Sequence, residues 1–397
     1  MEPVSSRIVS LSPSATMAMN QATRDLKAKG VDVINMSVGE PDFFTPDHIK
    51  NAGKQAIDNN ISFYPPAPGF PELRQAISQK LKRENNLDYT PEQIVVSVGA
   101  KNALANVVLC LIDKGDEVIV PSPYWVTYVE QVKLAEGTNV IIKGDIKNKF
   151  KVTSEQIEKA ITAKTKALLL CSPSNPTGSV YSKDELAAIA RVIEKHPRLF
   201  VITDEIYEHI NFIGKHESIG QFDAIKDRVV IINGVSKAYA MTGWRIGYSA
   251  SPLWLAKACI KLQGQLITGP ATNAQMAAIA ALNADQWCVA EMLVAFKRRK
   301  DLIMGLLKDI PGLEVVEPEG AFYVFPKIDS YFGKSFGNKK IQSSNDFCLY
   351  LLEEGHIGTV PGEAFGDPDC FRISFATSDE NIIEAMKRLR EALSKLK

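Results

Sequence analysis

Three apolar runs of strand length each end on side chains able to hold or move a proton. Lys166–Cys171 runs into Ser172-Pro173-Ser174-Asn175-Pro176-Thr177-Gly178, Leu199–Thr203 into Asp204-Glu205-Ile206-Tyr207, and Arg228–Asn233 into Gly234-Val235-Ser236-Lys237. A fourth run, Ile94–Val98, leads into Gly99-Ala100-Lys101 at the start of a helical stretch, where unpaired backbone N–H groups and the helix dipole suit a phosphate. Each piece alone has an ordinary explanation: a solvated lysine, an Asn-Pro-Thr-Gly turn, an aspartate capping a helix, a glycine relieving crowding. Together, in this order and at equivalent strand ends, they describe one site holding a lysine amine, a carboxylate and neutral donors.

That site needs a sheet whose strands all end on one edge. The middle of the chain supplies it by alternating short apolar runs with amphipathic stretches. Besides the runs above, Asp116–Val120 and Arg245–Ser249 read as strands, and Lys101–Ile112, Trp125–Leu134 and Ser182–His196 as helices. The last opens with Ser182 and Glu185, a capping-box pair. Strands that are nearly all apolar imply an α/β fold with a mostly parallel sheet covered on both faces, whose ligands bind beyond the carboxyl ends. After Ser251 the pattern turns helical, with Glu291–Leu307 as one long helix. Leu313–Val316, Gly320–Phe325 and Cys370–Ser374 then read as strands, Ser344–Glu354 and Asp379–Leu396 as helices, and Phe332–Ile341 as a surface loop. A large domain over 46–290 and a smaller α+β domain from 1–45 and 291–397 are expected.

The chain has 397 residues, enough for two domains, and its 46 basic and 46 acidic residues cancel. No charge surplus drives binding to nucleic acid or an anionic membrane, and neither partner is expected. No apolar run approaches bilayer length, and Met1–Met19 lacks the pattern of a secretory signal. Six scattered cysteines read as free thiols of a cytoplasmic protein, and no Cys/His spacing suits a metal.

At this point the chain resembles the class I aminotransferases of the pyridoxal 5′-phosphate (PLP) fold type I superfamily, and within them the bacterial aspartate aminotransferase branch. The runs that carry the resemblance span nearly the whole chain. They are Gly39-Glu40-Pro41-Asp42-Phe43, Tyr64-Pro65-Pro66-Ala67-Pro68-Gly69-Phe70-Pro71-Glu72-Leu73-Arg74, Ser122-Pro123-Tyr124-Trp125, the Asn175 and Asp204 runs, Ser236 through Tyr248, Gly320-Ala321-Phe322-Tyr323 and Phe371-Arg372-Ile373-Ser374. The run from Ser236-Lys237 to Trp244-Arg245 is the most specific.

The resemblance implies that Lys237 carries PLP covalently and shuttles the proton during transfer. It implies that Asp204 pairs with the cofactor's ring nitrogen, that Asn175 and Tyr207 donate to its ring oxygen, and that Trp125 stacks on the ring. Arg245 would grip the phosphate, with Gly99, Ala100, Lys101 and Ser236 around it. Tyr64 would reach the phosphate of a neighbouring subunit, so a homodimer with shared sites is implied. Arg372 and Gly39 would bind the substrate α-carboxylate, beside Trp125 and Asn175.

In the branch it resembles, a lysine at the position of Lys101 helps recognise an acidic side chain, and the segment of Ser14 and Thr16 adds polar contacts, so the resemblance implies aspartate or glutamate and their 2-oxo acids. The stretch Lys261–Pro270 departs from the branch at Gly264, Leu266 and Ile267, which puts the side-chain pocket in question. Prephenate or aromatic donors, or a PLP-dependent lyase reaction, are the alternatives. A non-enzymatic regulator is disfavoured, because the Gly39 run starts too early to leave room for a DNA-binding module.

Overall fold

In the computed structural model, which describes residues 4–397, seven strands form the central sheet: β1 (Ile94–Val98), β2 (Glu117–Ser122), β3 (Thr138–Lys143), β4 (Thr165–Cys171), β5 (Phe200–Asp204), β6 (Val229–Gly234) and β7 (Ile246–Ala250). Their order is β1-β7-β6-β5-β4-β2-β3. All run parallel except β7, which is antiparallel to both β1 and β6. The inner strands are buried along almost their whole length, as a sheet covered on both faces requires. One face carries Ile94, Ile119, Leu168, Val201 and Ile231, and the other Val95, Val118, Leu169, Ile202 and Val230. Each such fully buried side chain contributes about 1.5–3 kcal/mol.

The helices that cover the sheet follow their local signals. Lys183–Lys195 starts at a completed capping box: Glu185 N–H donates to Ser182 Oγ at 3.3 Å, and Ser182 N–H to Glu185 Oε2 at 2.8 Å. Its stripe of Leu186, Ile189, Ala190 and Ile193 packs inward. Asn106, the polar interruption in helix Ala100–Leu111, is buried and donates to Gln263 of helix Leu253–Leu266 at 3.0 Å.

A second core joins the two ends of the chain. It gathers Met19, Ile34 and Met36 with Phe296, Ile303, Phe322, Phe347, Phe371 and Leu389. The long helix Trp287–Lys308 spans both cores, Cys288 and Val289 belonging to the first and Met292 and Phe296 to the second. Here the strands are short: β8 (Tyr323–Val324), β9 (Val360–Pro361) and β10 (Phe371–Ser374), in the antiparallel order β9-β10-β8.

Several readings of the sequence need correction. Leu313–Val316 is not a strand; Glu314 makes one isolated bridge to Lys327. Gly320–Phe325 shortens to β8, because its first half is committed to backbone bonds with Gly178 and Ile210. Ahead of Gly39, Ile34–Asn35 forms a short strand parallel to Ile357–Gly358. The 332–341 loop contains a two-residue hairpin turning at Gly337, whose φ is +57°. The edge strand β3 has no counterpart in the sequence reading; its apolar run is confined to Val140–Ile142 and none of its residues is fully buried.

Behind the sheet's carboxyl edge, Glu205, Glu208 and His216 lie close enough to share an ion, yet the cation there is Lys80, buried and bonded to Glu208 and to Asn85. Asn233 also donates to Glu208 at 2.8 Å. Lys80→Met strands the Glu208 charge, and should cost about 3–5 kcal/mol in a denaturant titration.

Candidate active site

The carboxyl ends of β4, β5 and β6 deliver Asn175, Asp204, Tyr207, Ser236 and Lys237 into one cavity of about 310 Å³. Asp204 closes β5 opposite Cys171 at the end of β4, so the two share the cavity wall. Its carboxylate accepts from Tyr128 Oη at 2.8 Å and from Ile206 N–H at 3.2 Å. Desolvation pushes the carboxyl up to about 6, against the opposing pull of those two bonds. Lys237 Nζ donates to the Gly39 carbonyl at 2.6 Å. Burial holds its ammonium down to about 8; Glu40 opposes the fall, and Arg245 and Arg372 add to it.

The reversed strand β7 explains Arg245. Because β7 runs against its neighbours, its first residues lie at their carboxyl edge, with Ile246 opposite Val98 and Gly247 opposite Gly234. Arg245, just before it at φ +57°, therefore sits between the helix start at Gly99 and the turn bearing Lys237. It donates to the Thr242 carbonyl at 2.8 Å. A Cβ on Gly99 would stand 2.3 Å from Arg245 Nη2, so only glycine admits the guanidinium to this turn. Ala100 and Lys101 line the cavity on the same side. Lys101 Nζ lies 4.9 Å from the centre of the Trp125 ring, and burial, then Arg245, pushes its ammonium down.

The opposite wall comes from the second core. Arg372 on β10 is 1% exposed; it donates to Asn175 Oδ1 at 2.8 Å and to the Ser37 carbonyl at 2.6 Å. Its Nε has no partner, and no carboxylate lies within ion-pair distance among the described residues. Ser14, Thr16 and Met17, at the start of helix Ala15–Ala28, complete the mouth.

The cavity thus collects Gly39, Ala100, Lys101, Trp125, Asn175, Asp204, Tyr207, Ser236, Lys237, Arg245 and Arg372, with Gly99 directly beneath Arg245. Tyr64 does not join them: it is 93% exposed, on a separate surface beside Gly269–Thr272. The sequence reading gave no role to Tyr128, Thr242 or Tyr323, which also line the cavity. Tyr128 lies one helical turn beyond Trp125 and Tyr323 closes the Gly320 run, signals too slight to mark a site.

The family model for aminotransferase class I and II matches residues 31–389. The chain belongs to this family. It is 46% identical, over 100% of both chains, to a probable aspartate/prephenate aminotransferase of Rickettsia bellii. Its fold matches the crystal structure of the aspartate aminotransferase from Rhizobium meliloti with TM-score 0.96 and 41% identity, covering 100% of both chains. It also matches the Thermus thermophilus aspartate aminotransferase with maleate, with TM-score 0.92 and 39% identity, covering 99% of this chain and 100% of that one.

The chain is accordingly an aminotransferase, and its cofactor is PLP. The residues present fit that cofactor. An amine held near pH 8 is available to a carbonyl, a buried carboxylate lacks the cationic partner that would hold it ionised, and Arg245 with the helix start beneath it makes an anion cradle.

Tyr128→Phe removes a donor from the Asp204 carboxylate. In the cofactor-free protein the Asp204 titration, followed by carbon NMR of labelled aspartate, should move upward from about 6, since the lost bond favoured the ionised form.

Proposed function

We propose that this aminotransferase exchanges an amino group between L-aspartate or L-glutamate and a 2-oxo acid such as 2-oxoglutarate by a ping-pong mechanism. One observation carries the reading: Lys101, Lys237, Arg245 and Arg372 line the cavity, and Asp204 is the one carboxylate among its lining residues. With Lys237 committed to the cofactor and Arg245 to its phosphate, two cations remain. Arg372, buried without a counter-ion, suits the α-carboxylate as a forked donor, and Lys101 at the mouth suits a second carboxylate. The maleate in the Thermus relative, itself a dicarboxylate, supports the same assignment.

PLP supplies an electron sink for the substrate's Cα–H bond. The protein's part is to bind, orient and move protons. Lys237 Nζ, partly neutral near pH 8, would serve as the base for the substrate Cα proton and as the carrier that returns it during transfer. Asp204, steadied by Tyr128, would hold the cofactor's ring nitrogen in its protonated form. The Asn175 carbonyl oxygen is occupied by Arg372, which leaves its amide N–H groups to donate, beside Tyr207, to the ring oxygen. Trp125 covers the ring face, and Ser236, Gly99 and Ala100 add neutral donors around the phosphate. Gly39 lets the backbone approach the α-carboxylate.

Residues 46–290 and the paired segments 1–45 and 291–397 form two bodies that close to exclude water. Tyr64, out of reach of its own cavity, serves the site of a second copy; the exposed Phe44, Phe63 and Tyr64 support a homodimer. Six free cysteines fit a cytoplasmic setting. A second acceptor, prephenate, is favoured by the Rickettsia relative's name and by the Thr16 hydroxyl, which lines the mouth without a partner.

Adding L-aspartate without an acceptor to the PLP-loaded protein should convert the visible absorbance of the lysine-bound cofactor to that of its amine form, with one oxaloacetate per site. A spectrum indifferent to aspartate and glutamate would overturn the acidic-donor assignment. Lys101→Ser should raise KM for aspartate roughly 10- to 100-fold, the loss of a hydrogen bond to a charged group, while sparing apolar donors.

A further inference from the structure

Tyr323 is buried at 1% exposure on β8, opposite Ser374 and therefore on the strand next to Arg372. Three residues of the proposed site converge on it. The Arg372 guanidinium carbon lies 4.5 Å from the centre of its ring. A Cβ on Gly39 would stand 2.1 Å from its hydroxyl, so that hydroxyl occupies the space a side chain at Gly39 would take. On the third side its hydroxyl meets the Tyr207 hydroxyl at 2.7 Å, the two rings edge to face.

The pair has two protons and one shared hydrogen bond. Neither hydroxyl has another hydrogen-bond partner among the described residues. If Tyr207 donates, the Tyr323 proton is left on a hydroxyl pressed against Gly39, with no acceptor among the described residues, at a cost typical of a buried unsatisfied donor. Both side chains line the cavity, so what separates them is the Tyr323 hydroxyl's position against Gly39; if Tyr323 donates, the spare proton is that of Tyr207, on the turn that follows Asp204, where a bound acceptor can receive it.

We propose that Tyr323 is a positioning residue: its hydroxyl donates to Tyr207 and thereby turns Tyr207's own proton toward the cofactor's ring oxygen. The donated bond polarises Tyr207 and strengthens its outgoing bond. It also links β8, next to the strand of Arg372, directly to the turn that carries Asp204. The inference rests on the reading of Tyr207 as a donor to the cofactor, and the test separates the two.

The readout is the pH titration of the visible absorbance of the PLP-loaded, substrate-free protein, for the parent chain, Tyr207→Phe, Tyr323→Phe and the double variant. A donor to the ring oxygen favours the deprotonated lysine–cofactor linkage, so losing it raises the midpoint. Tyr323→Phe should raise the midpoint by roughly 0.3–1 pH unit, less than Tyr207→Phe, and the double variant should match Tyr207→Phe alone. Tyr323→Phe removes one oxygen from a packed ring, and thermal melts of each cofactor-free chain establish that the variants fold. An unshifted midpoint in Tyr323→Phe, or shifts that add in the double variant, overturns the relay through Tyr207. An unshifted midpoint in Tyr207→Phe overturns the donor reading of Tyr207 itself, and the relay with it.

Discussion

A buried cation persists only where something negative or dipolar faces it, and this cavity has more cations than it can satisfy. Arg372 is enclosed with two oxygen acceptors, an amide and a backbone carbonyl, and no carboxylate. Lys101 has the face of Trp125, and Arg245 has backbone carbonyls. Lys101 and Arg245 remain open to solvent, so the cost of an unpaired buried charge falls on Arg372, where an arriving anion would offset it. The proposed function answers these cations with three anions, a phosphate and two carboxylates. Burial draws Lys237 down toward neutrality, and the nearby Arg245 and Arg372 add to the fall.

The sheet exists to present those charges at one edge. Six parallel strands end together, and the single reversed strand brings its own beginning to the same line. Reversal is what places Arg245 against Gly99, where a side chain on the glycine would collide with the guanidinium. The phosphate cradle is thus a property of strand direction as much as of residue type.

Rigidity behind the edge comes from polar groups rather than apolar packing alone. Glu208, one residue beyond Tyr207, takes bonds from Lys80, Asn85 and Asn233, and Asn233 is the penultimate residue of the strand that leads to Lys237. The turn bearing Asp204 and the turn bearing Lys237 are therefore tied through one buried carboxylate. In front, the strap after Gly39 is held by a forked pair from Arg299 to Asp42 at 2.7 and 2.8 Å. Reactive side chains sit between a fixed wall and a fastened strap, the arrangement that keeps proton-transfer distances short.

The amino-acid sequence by itself determined the sheet, the helix that begins at Ser182, and the order in which Asn175, Asp204, Tyr207 and Lys237 reach its edge. These depend on apolar runs, capping side chains and punctuation, all of which act over a few residues. Only the tertiary structure decided the rest. The edge strand Thr138–Lys143 has no fully buried residue and an apolar run of only Val140–Ile142, while Leu313–Val316, rich in β-branched and apolar residues, makes a single bridge. Tyr128 and Tyr323 reach the site from a helix and from the second core, through contacts 76 and 116 residues apart in the chain. A tyrosine that hydrogen-bonds a distant partner leaves no periodic mark on its own neighbours. Local patterning records what a segment becomes, and the hydroxyl it will meet is settled only when the two cores pack together.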